Sequence, residues 1–235
     1  MSLDLNKVET PNSNKKKDYG RVADGTYAAR VVSVIDLGIQ HLTDWQNQKP
    51  RYHVLDDEGK WAKKGDDFLF TTEPNEAPDL KPQVLITWEL PTERLEFEME
   101  DGEEVSKPRW MSKEYVMSTH EKAGLMALVK AVSPGLQKLG DLVDKPCLLS
   151  VGSTKSGNAK ITGVAAPMKG MAVGPLESDP IVFSFDESSS DNFNSLHDWI
   201  KNKIRKAKNF DQGKFEGSSG DSSPAPSVDN DKAPF

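Results

Sequence analysis

The clearest hydrophobic pattern in the chain is the alternation of VLITWELP at residues 84–91. Its apolar side chains at even positions, from Val84 to Leu90, share one face of a strand, so Trp88 among them is expected in the core. Upstream, GTYAARVVSVIDLGIQ at residues 25–40 is rich in β-branched residues and predicts one long strand. The pattern therefore indicates a sheet built from the first half of the chain.

A hairpin and a helix follow this second strand. RWMSKEYVM at 109–117 comes after the acidic turn EMEDGEE and predicts the returning strand of the hairpin. Ser118 and Glu121 have the spacing of a capping box, and apolar residues then recur at helical spacing from Leu125 to Val132. The next three residues, SPG, predict the end of the helix.

Two more strands, KPCLLSVG and AKITGVAAP, flank a turn at KSGN. The order of three strands, one helix and two strands is that of the OB-fold, a five-stranded Greek-key barrel whose sheet face and loops bind oligonucleotides or oligosaccharides. We therefore expect a mainly β protein with some α structure, in which residues 21–176 form an OB-fold barrel and the helix lies between strands 3 and 4.

Four further segments complete the expected domain plan. Residues 1–20 are predicted to be a flexible arm, and residues 50–82 to be a flap inserted between the first two strands. Residues 177–210 are expected to form an extension whose basic amphipathic helix, FNSLHDWIKNKIRKAKNF, places Phe193, Leu196, Ile200 and Ile204 on one face. Residues 211–235 are predicted to be a disordered acidic tail that ends in Phe.

Charge changes this picture only when it is counted by segment. Residues 56–80 contribute −5 and residues 211–235 contribute −3, and subtracting both from the net charge of −7 leaves about +1. The remainder is neutral to slightly basic, so the overall charge does not exclude a basic groove for nucleic acid. The helix cations Lys201, Lys203, Arg205, Lys206 and Lys208 indicate a solvated face, or one that holds DNA or the acidic tail.

Several classes of protein are not expected from this sequence. The N-terminal segment lacks the apolar block of a signal peptide, no apolar stretch is long enough to span a membrane, and the expected location is the cytoplasm. Cys147 stands alone and is expected to be a buried small hydrophobe. His41, His53, His120 and His197 lack zinc-ligand spacing, so neither a metal nor a cofactor is expected.

Enzyme signatures are weak throughout. Asp56, Asp57, Asp66 and Asp67 suit Mg²⁺ by residue type, but they lie in a segment that predicts a solvated hairpin and lack a nuclease pattern. GSTKSG at 152–157 lacks the Gly-Lys-Ser/Thr order of a phosphate loop and precedes a strand. We therefore expect no catalytic activity.

Four segments, GTYAARVVSVIDLGIQ, ITWELPTERLE, PRWMSKEYVMSTHEKAGLMALVKAV and KPCLLSVG, resemble the small bacteriophage single-stranded-DNA-binding proteins of OB-fold type. The resemblance covers roughly residues 20–210, and the acidic region 56–80 departs from it. It implies a protein that coats single-stranded DNA, without sequence specificity, in phage replication, recombination or repair inside the bacterial host cell. The alternative is a non-enzymatic phage structural or adaptor protein whose barrel binds protein.

Aromatic and basic side chains interleave along the loops and the hairpin, as binding of single-stranded DNA requires. Besides Trp61 and Lys49, which share this pattern, we predict as DNA contacts Arg30, Trp45, Arg51, Arg94, Lys107, Arg109, Trp110, Lys113 and Tyr115. The segment KPRWMSKEY is favoured as the DNA-facing strand. The alternative for each aromatic residue is packing in the core or the hairpin.

The end of the chain, DNDKAPF, is similar to the acidic tails with a terminal aromatic residue that occur in such proteins. The resemblance implies that Asp229, Asp231, Pro234 and Phe235 recruit replication or recombination proteins. The acidic segment is also expected to compete weakly with DNA for a basic groove. The alternative is an ordinary disordered terminus.

Overall fold

The computed structural model describes residues 20–98 and 104–216. The described chain is mainly β, with short helices concentrated in its second half. Its strands are β1 (Gly25–His41), β2 (Tyr52–His53), β3 (Lys63–Lys64), β4 (Asp67–Phe68), β5 (Phe70–Thr71), β6 (Leu80–Glu98), β7 (Glu104–Val116), β8 (Pro146–Ser153), β9 (Ala159–Ala165) and β10 (Ile181–Phe183). Its α-helices are α1 (Gly124–Val132), α2 (Ser190–Asn194), α3 (Asp198–Arg205) and α4 (Gln212–Phe215).

One large sheet organises the fold, with the strand order β7-β6-β1-β8-β9 in antiparallel pairs. The first four of these strands along the chain, β1, β6, β7 and β8, lie in Greek-key order, because β8 returns to pair with β1. β10 adds to the sheet by pairing in parallel with Ser33 to Ile35 of β1. The predicted long strands and their antiparallel hairpins are confirmed.

The closed OB-fold barrel is not confirmed. Among the described residues, the backbone ladders leave β7 and β9 as the two ends of an open sheet. A side chain spans the gap instead, since the Lys113 ammonium donates to the Ile161 carbonyl at 3.3 Å. The sheet therefore has the expected strand sequence without the last ladder.

Two hydrophobic cores cover opposite faces of the sheet. The first contains the alternating side chains of β6, including Trp88 at 0% exposure, packed with Cys147 and with Leu128 of α1. The second packs Leu85 of β6 against the region after residue 181, including Phe193. The core positions predicted for Trp88 and Cys147 are confirmed.

The capping box predicted at Ser118 and Glu121 is wrong. Helix α1 begins only at Gly124, after Ala123, which makes no side-chain cap. The Ser118 hydroxyl accepts from the amide of His120 at 3.2 Å, which closes a turn before the helix begins. The predicted end at the SPG segment is confirmed, because α1 ends at Val132.

The C-terminal extension holds two helices where the sequence predicts one helix over 193–210. Helix α2 ends at Asn194 and α3 begins at Asp198, so the chain turns between them. The four predicted apolar positions are nevertheless all buried in the second core. Their spacing is preserved because both helices pack on the same face of the sheet.

The extension docks on β1 at a glycine. Gly38 has φ +72° at a bulge, and a Cβ there would lie 2.7 Å from the Cβ of Ala207. The next residue of β1, Ile39, donates its amide to the Asn209 side chain at 2.7 Å and accepts from the amide of Lys208 at 2.8 Å. This close approach needs a residue without a side chain.

Residues 211–216, which the sequence assigns to the tail, belong to the fold. They form α4, in which the carboxylate of Asp211 caps the amide of Lys214, and Phe215 is fully buried in the second core. The ordered chain therefore extends at least to Glu216.

Candidate nucleic-acid interface

All four predicted DNA-binding arginines have guanidinium groups that bond to other parts of the fold. Arg30 donates to the backbone carbonyls of Val173 and Gly174 and to the Asp144 carboxylate at 3.0 Å. Its side chain is 18% exposed, so it ties β1 to two loops. Bonds of this kind leave little of the guanidinium for a phosphate.

Arg51 and Arg94 are engaged in the same way. The Arg51 side chain donates to Asp79 through two nitrogens, one of them at 2.8 Å, and its guanidinium carbon lies 4.1 Å from the ring centre of Phe70. Arg94 bonds Glu177 at 2.6 Å and the carbonyl of Ser106 at 2.8 Å. Both arginines connect segments that are distant in the sequence.

The favoured strand KPRWMSKEY does not form one platform. Alternation along β7 places Arg109 on the same face as Tyr115, which is buried in the first core, and places Trp110 on the opposite face. Lys107 pairs with Leu95 of β6, and Tyr115 lies eight residues further along β7, about 26 Å away at the usual rise per residue. The predicted contacts are therefore spread over two faces and the length of the strand.

Tyr115 is buried in the first core, and Lys113 lies beside its ring. Burial raises the pKa of the Tyr115 hydroxyl well above its usual range, and the Lys113 ammonium lies 5.2 Å from the centre of the Tyr115 ring. Arg109 donates to the carbonyl of Gly20 at 2.9 Å and so holds the segment that leads into β1. Lys107 is exposed near the Phe97 ring.

Trp110 faces the C-terminal extension. Its indole donates to the carboxylate of Glu89 at 3.3 Å, and that carboxylate also accepts the amides of Glu177 at 2.8 Å and Ser178 at 3.2 Å. Glu89 is 0% exposed, so its charge is satisfied entirely by these donors. Trp110 also lines a cavity of about 20 Å³ beside Trp199. The outer face of the hairpin is thus covered at this point.

The connection between β1 and β6, which contains the flap, carries a group of exposed aromatic side chains. Trp45 is 77% exposed on a turn that precedes the flap. Trp61 is 48% exposed and its ring is parallel to that of His53 at 3.8 Å, while Phe68 meets both rings edge-on and Phe70 packs beside His53. Of these, the predicted contacts include only Trp45. The sequence signal for the others was the presence of aromatic residues at 61, 68 and 70 on either side of the charged segment KKGDD.

A buried charge network supports this aromatic cluster. Asp79 is 0% exposed, and its carboxylate accepts hydrogen bonds from the Arg51 guanidinium. The same carboxylate lies 3.4 Å from the imidazole Nε2 of His53 and 3.8 Å from the Lys81 ammonium. Burial lowers the pKa of His53, and the cations Lys81 and Arg51 lower it further, against the opposing effect of Asp79. His53 is therefore held neutral beneath Trp61.

Several cations of the C-terminal helix region are paired. Lys203 bonds Glu114 of β7, and Lys201 lies 2.9 Å from Asp198. Arg205 bonds Glu216, whereas Lys206 and Lys208 are exposed. The predicted partner-binding residues Asp229, Asp231, Pro234 and Phe235 lie outside the described residues.

In the described part of the chain, no three or more His, Cys, Asp or Glu side chains are grouped to hold a metal ion. No helix within residues 20–98 and 104–216 has the length and apolar character to cross a membrane. Comparison with protein-family models, with curated proteins and with solved structures finds no match to this chain.

Proposed function

We propose that this protein binds single-stranded DNA with little sequence preference, as an OB-fold whose barrel is open between β7 and β9. Such a protein would coat DNA during phage replication, recombination or repair and would have no catalytic activity. The Greek-key strand order with a helix between β7 and β8 supports this fold.

The observation that carries the proposal is the position of the exposed aromatic side chains. Trp45 and Trp61 both lie on the connection between β1 and β6, the first two long strands of the sheet. OB-folds bind oligonucleotides with this connection, and aromatic side chains bind any base because every base has a π-face. Lys49 and Lys63 on the same connection supply charge for phosphates.

Titration of labelled single-stranded oligonucleotides by fluorescence anisotropy tests the proposal. We expect thymine, cytosine and mixed sequences to bind with similar affinity, and the affinity to fall as salt rises. A duplex of the same length should compete poorly, because its bases are stacked on one another. Equal binding of duplex and single strand, or no binding of either at low salt, would show that the proposal is wrong.

We further propose that the acidic segment containing Asp229 and Asp231 recruits replication or recombination proteins through Phe235. A Phe side chain beside acidic groups suits an apolar pocket with a cationic rim. Phe235→Ala is expected to abolish capture of purified replication proteins by the immobilised protein and to leave oligonucleotide affinity unchanged. Equal capture by both forms would contradict this role.

A further inference from the structure

The flap has two chemically different faces. In the short hairpin formed by β3 and β4, Lys63 pairs with Phe68 and Lys64 pairs with Asp67. Successive side chains of a strand point to opposite faces, so Lys63 and Phe68 share one face and Lys64 and Asp67 share the other. The contact between the Lys63 ammonium and the Phe68 ring, at 4.6 Å from its centre, confirms this assignment.

The face with Lys63 is an aromatic surface on which the Trp61 ring is partly exposed. Trp61 lies on the same face, where one side of its indole stacks on His53 and nearly half of the side chain remains exposed. His53 in turn packs against Phe70, over which Arg51 lies. The indole is thus held in a fixed orientation from below.

The charges on this face are favourable for a polyanion. The Lys63 ammonium lies over Phe68, while the acidic Asp67 is on the opposite face with Lys64. Asp79 lies beneath the cluster at 0% exposure and is balanced by its cationic neighbours. Two acidic residues of the flap, Asp67 and Asp79, are therefore not on the exposed aromatic face.

We infer that the face formed by Trp61, Lys63, Phe68 and Phe70 is a stacking site for a base of single-stranded DNA, with Lys63 beside the adjoining phosphate. This inference rests on the proposed function and names the site through which it acts. Stacking requires a flat aromatic surface fixed in place, which the parallel contact with His53 provides.

Three substitutions in the full-length chain test the site by oligo-thymidine titration. Trp61→Ala should weaken binding about 5- to 150-fold, as expected for the loss of one stacked base. Lys63→Ala should weaken it less, and should reduce the slope of log affinity against log salt by about 0.7. Lys64→Ala is the matched control on the opposite face of the same hairpin and should change neither quantity by as much.

The outcomes separate this inference from the proposed function. If the unmodified protein binds single strands but Trp61→Ala and Lys63→Ala behave like Lys64→Ala, the inference is wrong and the proposed function stands. If the unmodified protein does not bind single strands, both fail. Should Trp61→Ala keep its DNA affinity and instead abolish self-association in sedimentation, the face contacts protein and the inference is overturned.

Folding of the variants is checked by circular dichroism. Trp61→Phe keeps an aromatic ring against His53, so it replaces Trp61→Ala in the binding test if Trp61→Ala unfolds. It should bind more weakly than the unmodified protein because the smaller ring covers less of a base. Unchanged affinity and unchanged fluorescence quenching by oligo-thymidine in a folded Trp61→Phe variant would overturn the inference.

Discussion

His53 contacts several side chains of the flap from its buried position. Its ring supports Trp61 on one side and meets Phe70 on another, while its Nε2 faces Asp79. Burial disfavours the charged imidazolium, so the pKa of His53 in the folded protein is lowered from its ordinary value. The folded flap therefore favours the neutral form of His53.

This lowered pKa predicts a loss of stability in mild acid. The unfolded chain binds a proton at His53 more readily than the folded chain, so the free energy of unfolding should fall as pH drops below about 6.5. His53→Gln removes this titration and should flatten the dependence. Urea unfolding from about pH 7.5 to 5.5 measures it, with the exposed His120→Gln as control. A His53→Gln variant as acid-sensitive as the unmodified protein would contradict the prediction.

At the scale of elements, the helices show what local signals miss. Helix α2 begins with a true capping box, in which Asn192 bonds the backbone and side chain of Ser189. Asn at the third position is not part of the usual pattern, which favours Glu or Gln. The box predicted at Ser118 has the usual residues, yet the structure forms a turn there. Residue identity alone did not distinguish the two positions.

Helix α4 is expected to contribute to stability despite its four residues. Phe215 is fully buried against Phe183 and Phe193, so Phe215→Ala should lower the free energy of unfolding by about 3 to 5 kcal/mol. Urea unfolding measures this loss. Phe68→Ala is the matched control at a 39% exposed position and should cost clearly less. If Phe215→Ala lowers the free energy of unfolding no more than Phe68→Ala does, α4 does not belong to the core.

On the scale of the whole molecule, one sheet separates two cores. The inward face of β6 packs on α1, and its outer face meets the C-terminal extension through Glu89 and Leu85. A nucleic acid cannot reach the hairpin where the extension covers it. The flap leaves the sheet at the ends of β1 and β6, where His41 pairs with Leu80, and so extends beyond the covered region. This arrangement favours the flap over the hairpin as the binding surface.

The long strands, the alternation that buries Trp88, the end of α1 and the apolar spacing of the extension were all predictable from the sequence. Each depends on residues within about two turns of a helix or one strand, where side-chain periodicity directly reports the buried face. The aromatic and basic composition that suggests DNA binding is equally visible without a structure. The sequence could therefore suggest single-stranded DNA, the ligand that we propose.

Only the tertiary structure decided which of these side chains are accessible. Arg30 and Trp110 have the residue types of a DNA site, but residues more than 50 positions away engage or cover them. Arg30 bonds to Asp144. Trp110 bonds to Glu89, which also accepts the amide of Glu177 in the segment that covers it. Contacts across such distances leave no local periodicity, because they arise when separate elements pack on one sheet. For the same reason the open edge at β9 and the fixed stack of Trp61 on His53 became apparent only in the folded chain.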